Sequence, residues 1–201
     1  MHTTFTGMDD ATLHKYIKNV SRNINDEDTA LILSYATKRH LKKGEALLKD
    51  DEICRAFYLV EKGYLRNYTN KDGLPINLNF TFEGGFTTNL KSIYSHQVSG
   101  VIIEAGEEAS VCVFDLNIVV NKRDIHPQVM LFIRRLMAHM LLQAEEHINF
   151  YKMYTPTERY HYIEENNPQL LQRVSLSQIA SYLGVTRETL SRIRAKKAVT
   201  R

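Results

Sequence analysis

The stretch VSLSQIASYLGVTRETLSRIR, residues 174–194, predicts two short helices joined by a tight turn. Ser175 and Gln178 have the spacing of a capping box, in which each side chain bonds the other residue's backbone N–H. Gly184 stands where the first helix must end, because a left-handed residue is least costly as glycine. The apolar residues of this helix fall on one face: Leu176, Ile179, Ala180 and Leu183.

The second helix of the stretch is expected to begin after Thr186, a good N-cap residue, with Leu190 and Ile193 on its inner face. Its outer face carries Arg187, Glu188, Ser191, Arg192 and Arg194. A helix pair of this kind fits the major groove of DNA. The alternative is an ordinary helical hairpin with a solvated basic face. Two caps, a glycine turn and a basic outer helix together favour DNA binding.

The charge distribution favours the same interpretation. Residues 187–201 hold six basic residues against one acidic residue, Glu188, a net charge of +5. The whole chain carries only +3, so residues 1–186 net −2. A basic tip on a slightly acidic body is the pattern expected for contact with phosphates. The six basic residues are Arg187, Arg192, Arg194, Lys196, Lys197 and Arg201.

The length of 201 residues allows one large or two small domains. There is no apolar run long enough to span a membrane and no secretory signal pattern, so we expect a cytoplasmic protein. Cys54 and Cys112 lie in predicted strands and are expected to be buried thiols in a reducing compartment. Two cysteines cannot hold a four-cysteine iron–sulfur cluster, and no cofactor is predicted.

The middle of the chain predicts a β-rich domain. Residues 9–37 have a helical pattern in two pieces, and from 40 to 114 the apolar period changes to two. The clearest strand is 76–82, apolar at even positions and polar at odd ones. Many short, glycine-punctuated strands suggest a double-sheet jelly roll or small barrel, and with the helices an α+β fold.

A long helix is predicted from about 127 to 154, with Pro127 at its first position. Its apolar stripe approximates a heptad pattern, Val129, Ile133, Leu136, Met140, His147 and Tyr151, and is widened by Met137, Ala144 and Ile148. Such a stripe favours packing on a second copy of the helix, and the alternative is packing on the jelly roll. Thr155, Pro156 and Glu158 predict the start of the next helix and a hinge between two domains.

This order of elements resembles the Crp/Fnr family of bacterial transcription regulators over nearly the whole chain. The specific segments are LKKGE at 41–45, FYLVEKG at 57–63 and GGF at 84–86. The strongest is TRETLSR at 186–192, which is similar to the family's recognition helix. The resemblance implies a cyclic-nucleotide-binding-like sensory jelly roll at 1–126, a dimerisation helix at 127–154 and a helix-turn-helix DNA-binding domain at 155–201.

The resemblance also implies roles for single residues. Arg187, Glu188 and Arg192 would reach base edges, since arginine bonds guanine bidentately and glutamate accepts from cytosine N4. Helix 187–196 would then read a palindromic operator with G·C pairs in each half-site, bound by a homodimer. The residues expected to contact phosphates are Ser175, Thr186, Thr189, Lys196 and Lys197.

The sequence departs from the cyclic-AMP-binding members at the sensory pocket. Those members have glutamate after the first glycine and an arginine further on, which fix the ribose and the cyclic phosphate. This chain reads Gly84, Gly85, Phe86, and no arginine occurs between Arg66 and Arg123. Lys91 lacks the bidentate fork of arginine. We therefore expect no cyclic AMP binding and another small ligand, or none, at 84–86.

A second departure lies after the recognition helix. Most relatives continue into a two-stranded wing that touches the DNA backbone, whereas this sequence is expected to lack it. Loss of those phosphate contacts would weaken binding and flatten its salt dependence. Lys196, Lys197 and Arg201 would compensate in part.

Three other functions remain open. A cupin-type metalloenzyme needs clustered histidines, but only His40 and His96 lie in or beside the strand region, and no nucleophile–histidine motif occurs. A protein-binding adaptor would not need the base-reading residues. A small-ligand or cyclic-nucleotide sensor whose helix-turn-helix does not act on DNA would retain the pocket. A non-enzymatic DNA-binding regulator is favoured.

Overall fold

The computed structural model describes residues 10–21, 24–117 and 126–198 of the chain, without the side chains of residues 10–11 and 196–198. The N-terminal half is a β sandwich of two antiparallel four-stranded sheets, ordered β1-β8-β3-β6 and β2-β7-β4-β5. Its strands are β1 (Ala36–Leu41), β2 (Ala46–Leu48), β3 (Ala56–Lys62), β4 (Leu65–Lys71), β5 (Leu74–Thr81), β6 (Phe86–Thr87), β7 (Ile102–Ala105) and β8 (Ala109–Asp115). The predicted jelly roll and α+β fold are confirmed.

Helices flank the sandwich and form the C-terminal part. They are α1 (Asp10–Val20), α2 (Asp26–Leu33), α3 (Leu90–Ser95), α4 (Pro127–Met153), α5 (Pro156–Asn166), α6 (Pro168–Arg173), α7 (Leu176–Leu183) and α8 (Arg187–Ala198). Among these described helices, none is long and apolar enough to cross a lipid bilayer.

The helix ends follow the local signals of the sequence. Asn25 caps α2, with the acidic run 26–28 in its first turn, where negative charge favours a helix. Thr155 and Glu158 form the predicted capping box at α5. The short α6, between Asn167 and Val174, was not predicted, because six residues carry too little periodic pattern to show a helix.

Three apolar clusters hold the fold together. One fills the space between the two sheets around Leu65 and Val111. A second joins α1, α2 and the start of α4 to the sandwich through Ile17, Phe57 and Phe132. The third unites the C-terminal helices with Tyr64, Phe80 and Phe82 of the sandwich. The helix-turn-helix is therefore packed on the jelly roll rather than separated from it.

The predicted alternation along 76–82 is wrong in its first half. Ile76 and Leu78 are 37% and 39% exposed, whereas Asn77 between them is only 4% exposed. Asn67 pairs with Asn79 and Tyr68 with Asn77, so Leu78 is an extra residue in the ladder. Such a bulge reverses which face the side chains take, and α7 then covers the face that carries Asn77.

The first part of the apolar stripe predicted for self-association of α4 faces the chain's own sandwich instead. Val129 and Leu136 are buried in the second cluster, and Ile133 and Met140 pack against it. An exposed row of this 27-residue helix also has heptad spacing, and it includes Met137, Ala144 and Ile148, which widen the predicted stripe. This exposed row comprises Met130, Met137, Leu141, Ala144 and Ile148.

Candidate nucleic-acid interface and ligand cavity

The turn between α7 and α8 has the geometry that the sequence predicts. Ser175 Oγ accepts from the Gln178 backbone N–H, and Gln178 Oε1 accepts from the Ser175 N–H. Gly184 ends α7 in the left-handed region at φ +70°. Thr186 then caps α8, with its Oγ1 3.2 Å from the Thr189 backbone nitrogen.

The two faces of α8 differ as a DNA-reading helix requires. Leu190 is fully buried against the C-terminal cluster and Ile193 packs beside it. Arg187, Glu188 and Arg192 are all exposed. The first two turns of α8 therefore present two guanidinium groups and one carboxylate to the outside of the molecule.

Glu188 is held in its charged form. Its own backbone amide and the Thr186 hydroxyl lower the pKa of Glu188, with smaller contributions from Arg187 and Arg192. Because the shift is downward, the carboxylate stays ionised at neutral pH. It then accepts hydrogen bonds only, which suits the amino group of cytosine.

The predicted phosphate-contacting hydroxyls already have partners within the protein. Ser175 Oγ lies 3.0 Å from Gln178 Oε1, and the Thr186 and Thr189 hydroxyl oxygens are 3.1 Å apart. A phosphate would therefore have to compete with an internal hydrogen bond at each site. Lys196 and Lys197 lie at the end of α8 and their side chains are outside the described residues, as is the whole of Arg201.

Helix α7 is bonded directly to the outer strand β5. The Asn77 backbone N–H donates to Ser181 Oγ at 3.0 Å, and Ser181 Oγ donates to the Pro75 carbonyl at 3.2 Å. Asn77 Nδ2 lies 3.4 Å from the Gln178 carbonyl oxygen. No local pattern predicts this contact, because more than a hundred residues of sequence separate its partners.

A second contact between the two halves is the Arg173 ion cluster, which consists of Arg173, Glu83 and Glu107. The Arg173 guanidinium donates to both oxygens of Glu83 at 2.8 Å and also to Glu107. The same guanidinium lies over the Phe82 ring, 5.1 Å from its centroid. Burial alone would raise the pKa of Glu83, but hydrogen bonds from Arg173 and the backbone outweigh it and lower that pKa.

A cavity of about 780 Å³ lies where the sandwich, α4 and the C-terminal helices meet. Of the predicted pocket residues 84–86, Gly85 and Phe86 line it. Gly84 does not, and instead packs against Tyr16 of α1. No lysine or arginine is among the described residues that line the cavity, and Lys91 is exposed on α3.

Gly85, at the position where the resemblance implies a glutamate in cyclic-AMP-binding members, has no room for a side chain. A Cβ at Gly85 would lie 2.7 Å from Thr81 Cγ2 and 3.1 Å from the Phe82 carbonyl oxygen. The loop therefore approaches β5 at a distance that only glycine permits. The described residues also contain no group of three His, Cys, Asp or Glu side chains suited to holding a metal ion.

Comparison with known proteins places this geometry in a class. No family model and no curated protein matches the sequence. Among solved structures, FixK2 from Bradyrhizobium japonicum is 25% identical with a TM-score of 0.67, covering 82% of this chain and 85% of that one. A protein from Eubacterium rectale assigned to the Crp/Fnr family of transcriptional regulators is 21% identical with a TM-score of 0.64, covering 90% and 87%.

The regulator CLP from Xanthomonas campestris, described as responsive to c-di-GMP, is 13% identical with a TM-score of 0.70, covering 88% of this chain and 93% of that one. The structural neighbours that match most of this chain are thus Crp/Fnr regulators. The chain has the Crp/Fnr regulator fold, with a cyclic-nucleotide-binding-like domain, and its neighbours form a non-enzymatic class.

Proposed function

We propose that this chain is a sequence-specific DNA-binding transcription regulator that acts as a homodimer on a palindromic operator. The observation that carries the proposal is the arrangement of α8. Arg187, Glu188 and Arg192 are exposed at its start while Leu190 anchors its other face in the core. A rigidly anchored helix with an exposed N-terminal face is how helix-turn-helix proteins reach base edges.

We further propose that residues 1–126, 127–154 and 155–201 act as sensory, dimerising and DNA-binding segments. The dimer is expected to form along the exposed row of α4. Met137, Leu141, Ala144 and Ile148 recur at spacings of four, three and four residues, the pattern of a two-helix seam. Two such helices would place two copies of α8 in a two-fold pair, which matches a palindromic site.

Two adjacent leucines of α4 allow a controlled test of the proposed dimer seam. Leu141 and Leu142 are 63% and 61% exposed, but Leu142 is rotated from the row by about 100°, as expected for neighbours on a helix with 3.6 residues per turn. Leu141→Glu should therefore shift the protein toward monomer in sedimentation equilibrium, and Leu142→Glu should not. Equal effects of the two substitutions would exclude a seam at this row.

We propose that cyclic AMP is not the effector. The glutamate position is filled by Gly85, which has no space for a Cβ. An anionic ligand would also find no lysine or arginine among the described residues of the cavity wall. A charged phosphate without a compensating cation is costly to desolvate.

Selection of a random duplex library on the purified protein, at one stated salt concentration, tests the proposal. Wild type should enrich a two-fold palindrome, and Arg192→Ala should lose about 1–3 kcal/mol of discrimination at the base it reads. Lys197→Ala should weaken binding to all duplexes equally and make the affinity less dependent on salt concentration. Indistinguishable selections by wild type and Arg192→Ala would favour a sensor or adaptor whose helix-turn-helix does not act on DNA.

A further inference from the structure

The cavity joins three parts of the molecule that a regulator must coordinate. Its wall includes Thr81 and Phe86 of the sandwich, His147 of α4, and Tyr162 and Tyr182 of the C-terminal helices. A volume of about 780 Å³ is within the range of sites that hold small organic ligands. A molecule bound there would touch the sensory fold and the DNA-reading helices at the same time.

Aromatic rings dominate the part of the wall nearest α7. Phe80 and Tyr182 meet edge to face with centroids 5.5 Å apart, and Phe150 and Tyr162 also lie 5.5 Å apart. His147 belongs to the same group: its ring is stacked on Phe150 with centroids 6.4 Å apart and tilted against Tyr182 at 5.8 Å. Burial lowers the pKa of His147, so the ring is neutral at pH 7 and adds no positive charge.

The polar groups of the wall are carboxylates, amides and hydroxyls, and no lysine or arginine is among its described residues. Glu83 and Glu146 supply carboxylates, and Glu83 is already bonded to Arg173. In the described part of the chain, Glu146 has no hydrogen bond or ion pair. Thr81 Oγ1, on a side chain that is only 6% exposed, and Asn167 Oδ1 lack hydrogen-bond partners. Buried oxygens without partners are unusual and mark places where a donor fits.

We propose that this cavity binds a small organic cation with an apolar or aromatic body. Its charged nitrogen would pair with Glu146, and its N–H groups would satisfy wall oxygens after a side-chain rotation at Thr81 or Asn167. The rings of Phe150, Tyr162 and Tyr182 would supply the flat, electron-rich faces that attract cations. This cation would be the effector of the proposed regulator, so its effect on DNA binding rests on the proposed function. Binding of the cation to the cavity does not depend on that function.

A ligand at this position can change the geometry of DNA reading. Ala144 and Ile148 belong both to the cavity wall and to the exposed row proposed as the dimer seam. The ligand would therefore stabilise whichever arrangement of α4 and the C-terminal helices closes around it, which is a shift between existing populations. The size of the shift is limited by the difference in affinity of the ligand for the two arrangements.

Three probes share the same phenylbutyl carbon skeleton and differ in the charge of their end group: 4-phenylbutylamine, 4-phenylbutan-1-ol and 4-phenylbutyrate. Comparing them distinguishes the effect of charge on binding from that of shape. Their binding to the full-length protein without DNA is measured by ligand-observed NMR titration, with cyclic AMP as a fourth arm. The amine should bind about tenfold tighter than the carboxylate, the order expected for π faces and a carboxylate acting together. The alcohol should fall between them and cyclic AMP should not bind.

Two adjacent glutamates provide the matched variants. Both are exposed on α4, but Glu146 lines the cavity and Glu145 does not. Glu146→Gln should weaken binding of the amine about threefold to tenfold, because the substitution removes only a negative charge. The affinity for the alcohol should stay unchanged. Glu145→Gln should change neither affinity.

Equal or tighter binding of 4-phenylbutyrate, equal effects of Glu145→Gln and Glu146→Gln, or no binding of any probe at millimolar concentration would overturn the proposal. Because no DNA is present, these results are independent of the duplex selection. A protein that selects a palindrome but prefers the carboxylate would keep the proposed function and lose the cation site.

Discussion

Replacing Arg173 by methionine should measure how firmly the helix-turn-helix is held on the jelly roll. The substitution removes the two 2.8 Å hydrogen bonds to Glu83 and the contact with Glu107, while it keeps an unbranched apolar chain over Phe82. Hydrogen bonds to charged groups contribute about 1.5–3 kcal/mol each when buried, but all three side chains of the cluster keep partial contact with solvent. We therefore expect a loss of about 2 kcal/mol in the free energy of unfolding.

A double-mutant cycle isolates the part that belongs to the pair. Arg173→Met, Glu83→Gln and the double variant are unfolded in urea, and the coupling free energy should be about 1–2 kcal/mol. Arg194→Met serves as the matched control because Arg194 is exposed on α8, and it should cost less than about 0.5 kcal/mol. A coupling energy no larger than the effect of the control would refute the view that this ion cluster holds the two halves together.

The same pair predicts a pH dependence with a definite sign. The pKa of Glu83 is lower in the folded protein, so its contribution is complete above the unfolded value of about 4.3. It is lost as the pH falls through the lower folded pKa. Between pH 7 and pH 3 the wild type should therefore lose more stability than Glu83→Gln does, measured by urea unfolding at each pH.

Three further predictions concern packing and reactivity. Gly85→Ala should destabilise the fold by about 1–3 kcal/mol by forcing its Cβ against Thr81, and Thr81→Ser should restore part of that loss in thermal unfolding. Leu190→Ala should cost about 2–5 kcal/mol by leaving a cavity in the C-terminal cluster, whereas Ser191→Ala should be close to neutral. Burial and the nearby charge of Glu61 raise the pKa of Cys112 to about 12, so iodoacetamide should alkylate it at pH 8 only in denaturant.

Local signals in the sequence were enough to predict the helix ends and the turn. The helix-end residues Ser175, Gly184 and Thr155 act through hydrogen bonds and backbone angles within four residues of themselves. Their roles can therefore be predicted from the neighbouring sequence. The jelly roll was likewise visible as short alternating strands punctuated by glycine. The order of these elements then carried the resemblance to Crp/Fnr regulators, and the structural neighbours confirm that resemblance.

The contacts between elements could not be predicted in the same way. The bulge at Leu78 changes the face on which every earlier residue of β5 lies, and no residue type marks it. Arg173 meets Glu83 across 90 residues of sequence, where any exposed pair of opposite charges would look the same. On α4, two apolar rows compete for the core, and only the packing against Phe86 and Phe114 of the sandwich decides between them.

Helix α7 also covers the free edge of the outer strand β5. An edge strand exposes unpaired backbone donors to which other chains can add, and proteins block such edges with proline or a covering element. Pro75 removes one donor, and Ser181 of α7 occupies the next, the N–H of Asn77. Any motion that lifts α7 away therefore opens a sheet edge beside the exposed side chains of Ile76 and Leu78. If the helices proposed to read DNA move, the cost is a risk of aggregation, and a jelly roll cut free of residues 155–201 should be the less soluble protein.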